Sequence, residues 1–220
     1  HLPVVSNTQF RMQYVDTAGS GKLLDWKYRP LDENHSNSRT ENTDYTIKIG
    51  VTYHLTRSLK FSGDFQYGKG VSETDVLYDK SSYYTRNLIN SYSQIDWSTG
   101  NVTRPIPLGA ILTRSNSFYK NYNGRFQANY SNKIQSSHNL SVIAGFEVKQ
   151  YTSELRRHSL YGYNEEHALS ATIDYLTRFD LYYSNSTSSI PDNSSQSGKI
   201  DRYISYYLNG SYGYLNRLFL

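Results

Sequence analysis

The chain has 220 residues and 23 tyrosines, with a hydrophobic share of only 37%, no cysteine and a formal charge of +4. It is long enough for one domain with a sizeable core, yet its composition is not that of an ordinary globular protein. The missing thiols exclude a disulfide framework and thiolate metal sites. The modest, dispersed charge gives no nucleic-acid surface.

Taken in chain order, His1–Asp44 is polar and turn-rich and predicts an external segment. From Tyr45 to Leu55 the pattern changes. Tyr45, Ile47, Ile49, Val51, Tyr53 and Leu55 alternate with Thr46, Lys48, Gly50, Thr52 and His54. Side chains of a strand point alternately to its two faces, so this segment has one oily and one wet surface. Thr56-Arg57-Ser58 is a tight turn, after which Leu59, Phe61, Gly63, Phe65 and Tyr67 repeat the pattern.

A long connection over 70–117 follows. Within it Tyr84, Leu88, Tyr92 and Ile95 fall at helical spacing after Ser81 and Ser82, which predicts a short amphipathic helix packed on the connection's own aromatics. A third strand sets Phe118, Tyr122, Phe126, Ala128 and Tyr130 against Asn121, Asn123, Arg125, Gln127 and Asn129, with Lys120 on the otherwise apolar side. After the turn at 131–137, a fourth alternates from Leu140 to Val148, and Val142–Phe146, interrupted by Gly145, is the longest apolar stretch of the chain. A second long connection, 152–200, holds the Ser/Asn-rich stretch Ser184–Gly198, which reads as a flexible tip. A fifth strand runs Ile204–Tyr214, 216–217 is another turn, and Leu218–Leu220 begins a sixth.

No apolar run approaches the ~18 residues of a membrane helix. A chain of this kind meets a bilayer only as a closed barrel, because only helices and closed barrels satisfy every backbone group in lipid. Segments of about 9–11 alternating residues rich in aromatics, with short turns at one end and long loops at the other, are the pattern of an outer-membrane barrel. The expected fold is therefore all-β, a wall segment of about five full strands of an antiparallel transmembrane β-barrel. The loops 1–44, 70–117 and 152–200 are extracellular and the turns 56–58, 131–137 and 216–217 periplasmic. The alternative is a soluble or surface β-sandwich that binds glycans through loop aromatics. It predicts a chain that folds cooperatively in buffer.

Chemical motifs are weak. Gly63-x-x-x-x-Gly68-Lys69 lacks the hydroxyl residue of a phosphate-binding loop and lies in a strand. The six histidines make no ligand pair, Asp32-Glu33 and Glu165-Glu166 are sequence neighbours without convergence, and no serine stands in a nucleophile elbow. Neither catalysis, a metal nor a cofactor is expected. The better candidates are loop aromatics that suit a sugar, a peptide or a docking lid: Trp26, Tyr78, Tyr83, Tyr84, Trp97 and Tyr161, with Tyr28 and Tyr163 beside them. Asn121, Asn123, Arg125, Gln127 and Asn129 are the candidate lumen-facing row.

Several segments carry a resemblance. Leu24-Asp25-Trp26-x-Tyr28-x-Pro30-Leu31-Asp32-Glu33, Tyr84–Asn90, Pro107–Leu112, Ala144–Glu147, Ile173-Asp174-Tyr175, Ile190-Pro191 and Asp201–Asn209 follow one another over almost the whole chain. In order and spacing they resemble the middle of the barrel in SusC/RagA-type TonB-dependent transporters. The resemblance implies a 22-stranded barrel in the outer membrane and a plug inside it pulled by the TonB complex. It also implies a SusD-like surface lipoprotein as lid and an oligosaccharide or peptide as substrate. A start at His1 and the missing plug and TonB box predict a piece of such a protein, one that cannot transport anything alone.

Overall fold

The computed structural model describes residues 10–30, 36–134, 137–215 and 218–219. Helix α1 (Met12–Thr17) leads through a turn of 3-10 helix (Ala18–Gly21) into strand β1 (Ser36–His54) and strand β2 (Leu59–Tyr78). Helix α2 (Tyr83–Tyr92) and the ribbon of β3 (Gln94–Ile95) and β4 (Val102–Thr103) precede β5 (Ala110–Ile134) and β6 (His138–Tyr163). A second ribbon, β7 (Arg178–Asp180) with β8 (Thr187–Ser189), comes before β9 (Ser195–Tyr214) and β10 (Leu218–Phe219). The five long strands and the two-residue β10 form one six-stranded sheet in the order β1-β2-β5-β6-β9-β10. The expected strands, their order and the start of a sixth are all present. The 216–217 turn and the Asp32-Glu33 pair lie outside the described residues.

Each strand pair keeps one antiparallel register. Gly50 faces Asp64, and the Thr40 and Thr74 hydroxyls lie 3.0 Å apart. Between β2 and β5, Ser131 N–H donates to the Ser58 carbonyl, Asn121 covers Gly68, and Arg114 grips Asp75. Phe126 meets Phe146 at 5.8 Å and Thr113 meets Ser159 at 3.0 Å between β5 and β6. His138 and Tyr214, Gly145 and Tyr207, and Gln150 and Arg202 match β6 to β9. Every one of these contacts fits an unbulged ladder.

The strands are longer than the alternation implies. β5 has 25 residues and β6 has 26, so 36–44, 70–78, 110–117, 152–163 and 195–200 are strand where connections were expected. The reason is local. Ala110, Ile111 and Leu112 are all buried, and consecutive burial erases a period of two. At the other extreme, 195–200 and 37–44 are exposed on both faces and carry no apolar side to reveal them.

The chain divides into two compact units: 1–41, 73–116 and 156–195 form one, and 42–72, 117–155 and 196–220 the other. The second is wall alone. Its apolar side is open: Tyr45, Ile47, Ile49, Val51 and Tyr53 are each 60% exposed or more, and Ile204, Tyr206 and Leu208 likewise. Phe61, Phe126, Phe146 and Tyr206 form an aromatic row across four strands, with ring centroids 5.8–6.4 Å apart. So contiguous an apolar surface is not that of a soluble monomer.

On the opposite face, large side chains lie over glycines of the neighbouring strand. Tyr119 covers Gly70 and donates to the Asp44 carboxylate, and Tyr207 covers Gly145. A Cβ at Gly145 would stand 2.5 Å from the Phe126 carbonyl oxygen and 2.5 Å from the Tyr207 hydroxyl. Gly145→Val in the full-length protein is therefore expected to cost about 2 kcal/mol, with a visible drop in the assembled fraction on heat-modifiability gels. Gly210→Ala, whose Cβ would be 3.9 Å from the Ser141 carbonyl, should assemble normally.

The first unit has its own core: Ile89, Tyr92, Ile106, Ile111, Tyr161, Ile173 and Ile190, with Leu24, Tyr78, Leu88, Tyr175, Phe179 and Leu181 packed against them. Its residues come from the connections and from the strand ends that carry them. The segment expected to be a flexible tip is built instead on the β7–β8 ribbon, where Arg178 binds the Thr187 hydroxyl at 3.0 Å and its carbonyl at 2.6 Å. Ile190, fully buried, anchors its end.

Candidate functional site

Helix α2 organises the unit that carries the candidate aromatics. Ser82 caps it, accepting from Thr85 N–H at 3.2 Å. Its buried side is mostly polar. The Asn90 side chain accepts from Leu24 N–H and donates to the Leu24 carbonyl, both at 2.9 Å, so it pairs with that backbone as a strand would. Arg86 donates to the carbonyls of Ser81 at 2.8 Å, Lys27 at 3.3 Å and Asp25. Asn87 accepts from the Trp26 indole at 2.8 Å. A helix that satisfies a neighbouring irregular backbone in this way holds it by hydrogen bonds, to which the packing of Leu24 on the core adds.

These contacts overturn part of the expected site. Trp26 is 2% exposed, enclosed by Phe10, Tyr14 and Tyr182 at centroid distances of 5.1–6.2 Å. Tyr161 is fully buried and donates to the Pro191 carbonyl at 2.6 Å, and burial pushes its phenol far above its ordinary pKa. Both are packing residues, because a large aromatic with a polar tip is what a small core with irregular backbone requires. Tyr78 packs on that core, and its ring lies 4.5 Å from that of Tyr84 at a tilt of 41°; Tyr84 is exposed. Tyr83 stands edge-on to Tyr28 at 5.2 Å, both half-buried, and Tyr163 lines a cleft described below.

Trp97 is different. It is 61% exposed at the tip of the β3–β4 ribbon, in a turn that Asp96 makes rigid. One Asp96 oxygen accepts from Ser98 N–H at 2.9 Å and Ser98 hydroxyl at 2.6 Å, and the other from the Thr99 hydroxyl at 2.6 Å. These hydroxyls and amides hold the Asp96 carboxyl well below the usual carboxylate range. Gly100, at φ +79°, closes the turn with its N–H on the Asp96 carbonyl. A bare indole on so fixed a turn is preorganised for contact.

Two concavities accompany these side chains. One, of about 580 Å³, is lined by Phe10, Arg11, Tyr14, Asn87 and Tyr183. The other, of about 810 Å³, lies between Leu77, Asp79 and Lys80 on one side and Leu108, Tyr163, Glu165 and Glu166 on the other. Its floor is the contact of Gly109 with Gly162, where a Cβ on Gly109 would stand 2.7 Å from the Gly162 carbonyl carbon. Sequence reasoning missed both, because their walls converge from separate connections. Nearby, the bidentate Arg114 grip at 2.7 and 2.8 Å holds Asp75 below the usual carboxylate range.

The polar row of β5 is brought together as expected of one strand face. Gln127 accepts from the Tyr207 hydroxyl at 2.9 Å and donates to Asn129 at 2.8 Å, and the Arg125 guanidinium lies 5.5 Å above the Tyr207 ring. Asn121 lies over Gly68. Asn123, beside the Glu147–Lys149 ion pair of 2.9 Å, keeps a buried carbonyl oxygen with no partner. Asn123, Arg125, Glu147 and Lys149, with Lys48, Asp64 and Gln66, line a polar cleft of about 380 Å³. Among the described residues no three histidines or carboxylates come close enough to hold a metal ion, and no helix is long and apolar enough to cross a membrane.

Up-and-down order, an unbulged ladder and one open apolar face define a segment of antiparallel β-barrel wall that carries long, structured connections. A solved structure shares that fold: the RagAB peptide importer in its "closed-closed" state, at a TM-score of 0.50 and 13% identity over 86% of this chain. This chain spans 17% of that one. No protein-family model and no curated protein matches the sequence.

Proposed function

We propose that the chain is wall and outer connections of an energy-coupled outer-membrane importer, without catalytic activity of its own. The observation that carries this reading is the open apolar face of the wall unit, backed by a polar face with its own hydrogen-bond network. Lipid on one side and a wet lumen on the other is the environment such a sheet satisfies. From Lys120 to Tyr130 the apolar side of β5 covers roughly 25 Å at ordinary rise and tilt, the height of an outer-membrane apolar band. The fold likeness to a peptide importer supports import as the role, and the sequence resemblance supports the SusC/RagA type with an oligosaccharide or peptide as cargo. In this reading the plug, reached by TonB, lies in the remainder of the protein. A SusD-like lipoprotein closes over the connections, and Asn121, Asn123, Arg125, Gln127 and Asn129 face the lumen.

Trp97 is the residue through which the lid or cargo is bound. In the full-length protein, Trp97→Ala is expected to weaken co-purification of the surface lipoprotein, or uptake of the cargo, by about ten-fold or more, with normal assembly. Unchanged capture and unchanged uptake would remove Trp97 from the site. If the full-length protein co-purifies with no surface lipoprotein and its uptake survives collapse of the proton gradient, the importer reading itself fails.

A further inference from the structure

The apolar face of the wall carries two lysines side by side. Gly68 and Gly70 lie against Asn121 and Tyr119 on the polar side, so Lys69 between them points to the other. Tyr67 and Tyr122 pair on that apolar side at 5.2 Å. One step outward in the same register stand Lys69 and Lys120, directly opposite each other and both exposed. Opposed like charges destabilise a strand pair, and among the described residues neither lysine has an ion pair. Four residues inward on β5 is Gly124, opposite Phe65, and Gly63 is opposite Phe126. A Cβ at either glycine would meet nothing within 4 Å. The two gaps open a notch of about 410 Å³ walled by Ile49, Val51, Phe65, Phe126, Phe146 and Val148.

We propose that the lysine pair and the notch are one site for a phosphate-bearing membrane lipid, its phosphate between the two ammonium groups and one acyl chain in the notch. This rests on the reading of the apolar face as the lipid-facing one. The charge of the pair calls for an anion, and a phosphate accepts from both lysines at once. The notch lies about 13 Å further along the strand, the reach of a glycerol unit and the first methylenes of a chain. A free phosphate would leave the notch unused, and a neutral lipid would leave the lysines facing each other.

The test titrates dimyristoyl phosphatidic acid into the detergent-purified full-length protein and reads retained lipid by native mass spectrometry. Dimyristoylglycerol and inorganic phosphate are the comparison probes. Saturable retention of the phosphatidic acid is expected, at least ten-fold tighter than that of the diacylglycerol and not displaced by equimolar inorganic phosphate. The Lys69→Gln/Lys120→Gln double variant should lose at least ten-fold in affinity, and Gly124→Leu, which fills the notch, a similar factor. The assembled fraction is measured in the same samples, and the double variant should match wild type. Wild-type retention by the double variant, or equal retention of the diacylglycerol, overturns the proposal. A barrel that assembles normally yet shows either result sinks this site alone, whereas equal destabilisation of the barrel by Ile49→Arg on the apolar face and Thr52→Arg on the polar one sinks the importer reading with it.

Discussion

Ile49→Arg in the full-length protein is expected to cost about 2–4 kcal/mol of barrel stability, the cost of a guanidinium near the bilayer midplane on the lipid side of a strand. Ile49 is 61% exposed in the middle of the open apolar face, between Ile47 and Val51. Thr52 is three residues along the same strand and on the other face, so Thr52→Arg should stay within about 0.5 kcal/mol of wild type. The measurement is urea-driven unfolding from lipid vesicles, or the folded fraction recovered from outer membranes. Equal losses for the two variants would count against the lipid assignment. The comparison separates a lipid-facing wall from a sandwich, because a sandwich would bury the Ile49 face against a second sheet, and no such sheet covers it among the described residues.

Tyr161→Ala should be as damaging to the other unit, at about 3–5 kcal/mol, since it removes the largest fully buried side chain there. Tyr161→Phe keeps the ring but leaves the Pro191 carbonyl without its 2.6 Å donor, an expected loss of about 1–3 kcal/mol. Both variants fall at the end of β6 that belongs to the first unit, outside the wall unit. The expected result is a barrel that still assembles while 164–194 becomes open to protease and the α2 amides lose hydrogen-exchange protection. Full protection in Tyr161→Ala would show that the core does not hold these connections. A ligand-contacting tyrosine would behave in the opposite way, losing binding with its protection intact.

The two units differ in how much the sequence shows of them. A wall with one apolar and one polar face imposes a period of two, and Tyr45–Leu55 displays it without interruption, so strand order and short turns could be read directly. The connections impose no such rule. Periodicity in α2 picks Tyr84, Leu88, Tyr92 and Ile95, yet the buried residues are Thr85, Arg86, Ile89, Asn90, Ser91 and Tyr92. The helix packs largely by hydrogen bonds to Leu24–Lys27, and a hydrophobicity pattern cannot see a polar interface. Trp26 and Tyr161 read as available for a ligand because their burial depends in part on partners more than fifty residues away, such as Tyr182 for the first and Tyr92 for the second. Several of the segments behind the family resemblance, among them Leu24–Tyr28, Tyr84–Asn90, Pro107–Leu112 and Ile190-Pro191, prove to be parts of this shared packing. Lys69 drew notice only as the end of a failed phosphate-loop match. Its parity with Phe65 and Tyr67 was the signal that placed it beside Lys120.

The shared core of the connections limits how such a protein can be altered. Ile89 and Ile106 come from one connection, Ile173 and Ile190 from another, and Ile111 and Tyr161 from the ends of the strands that hold them. Exchanging one connection for that of a relative would therefore strip partners from the other and expose its isoleucines to water. Transplanting a connection requires moving both together, with Leu24–Lys27 and the strand ends included. The unit of exchange is the whole packed body, and a single loop is too small a piece to graft.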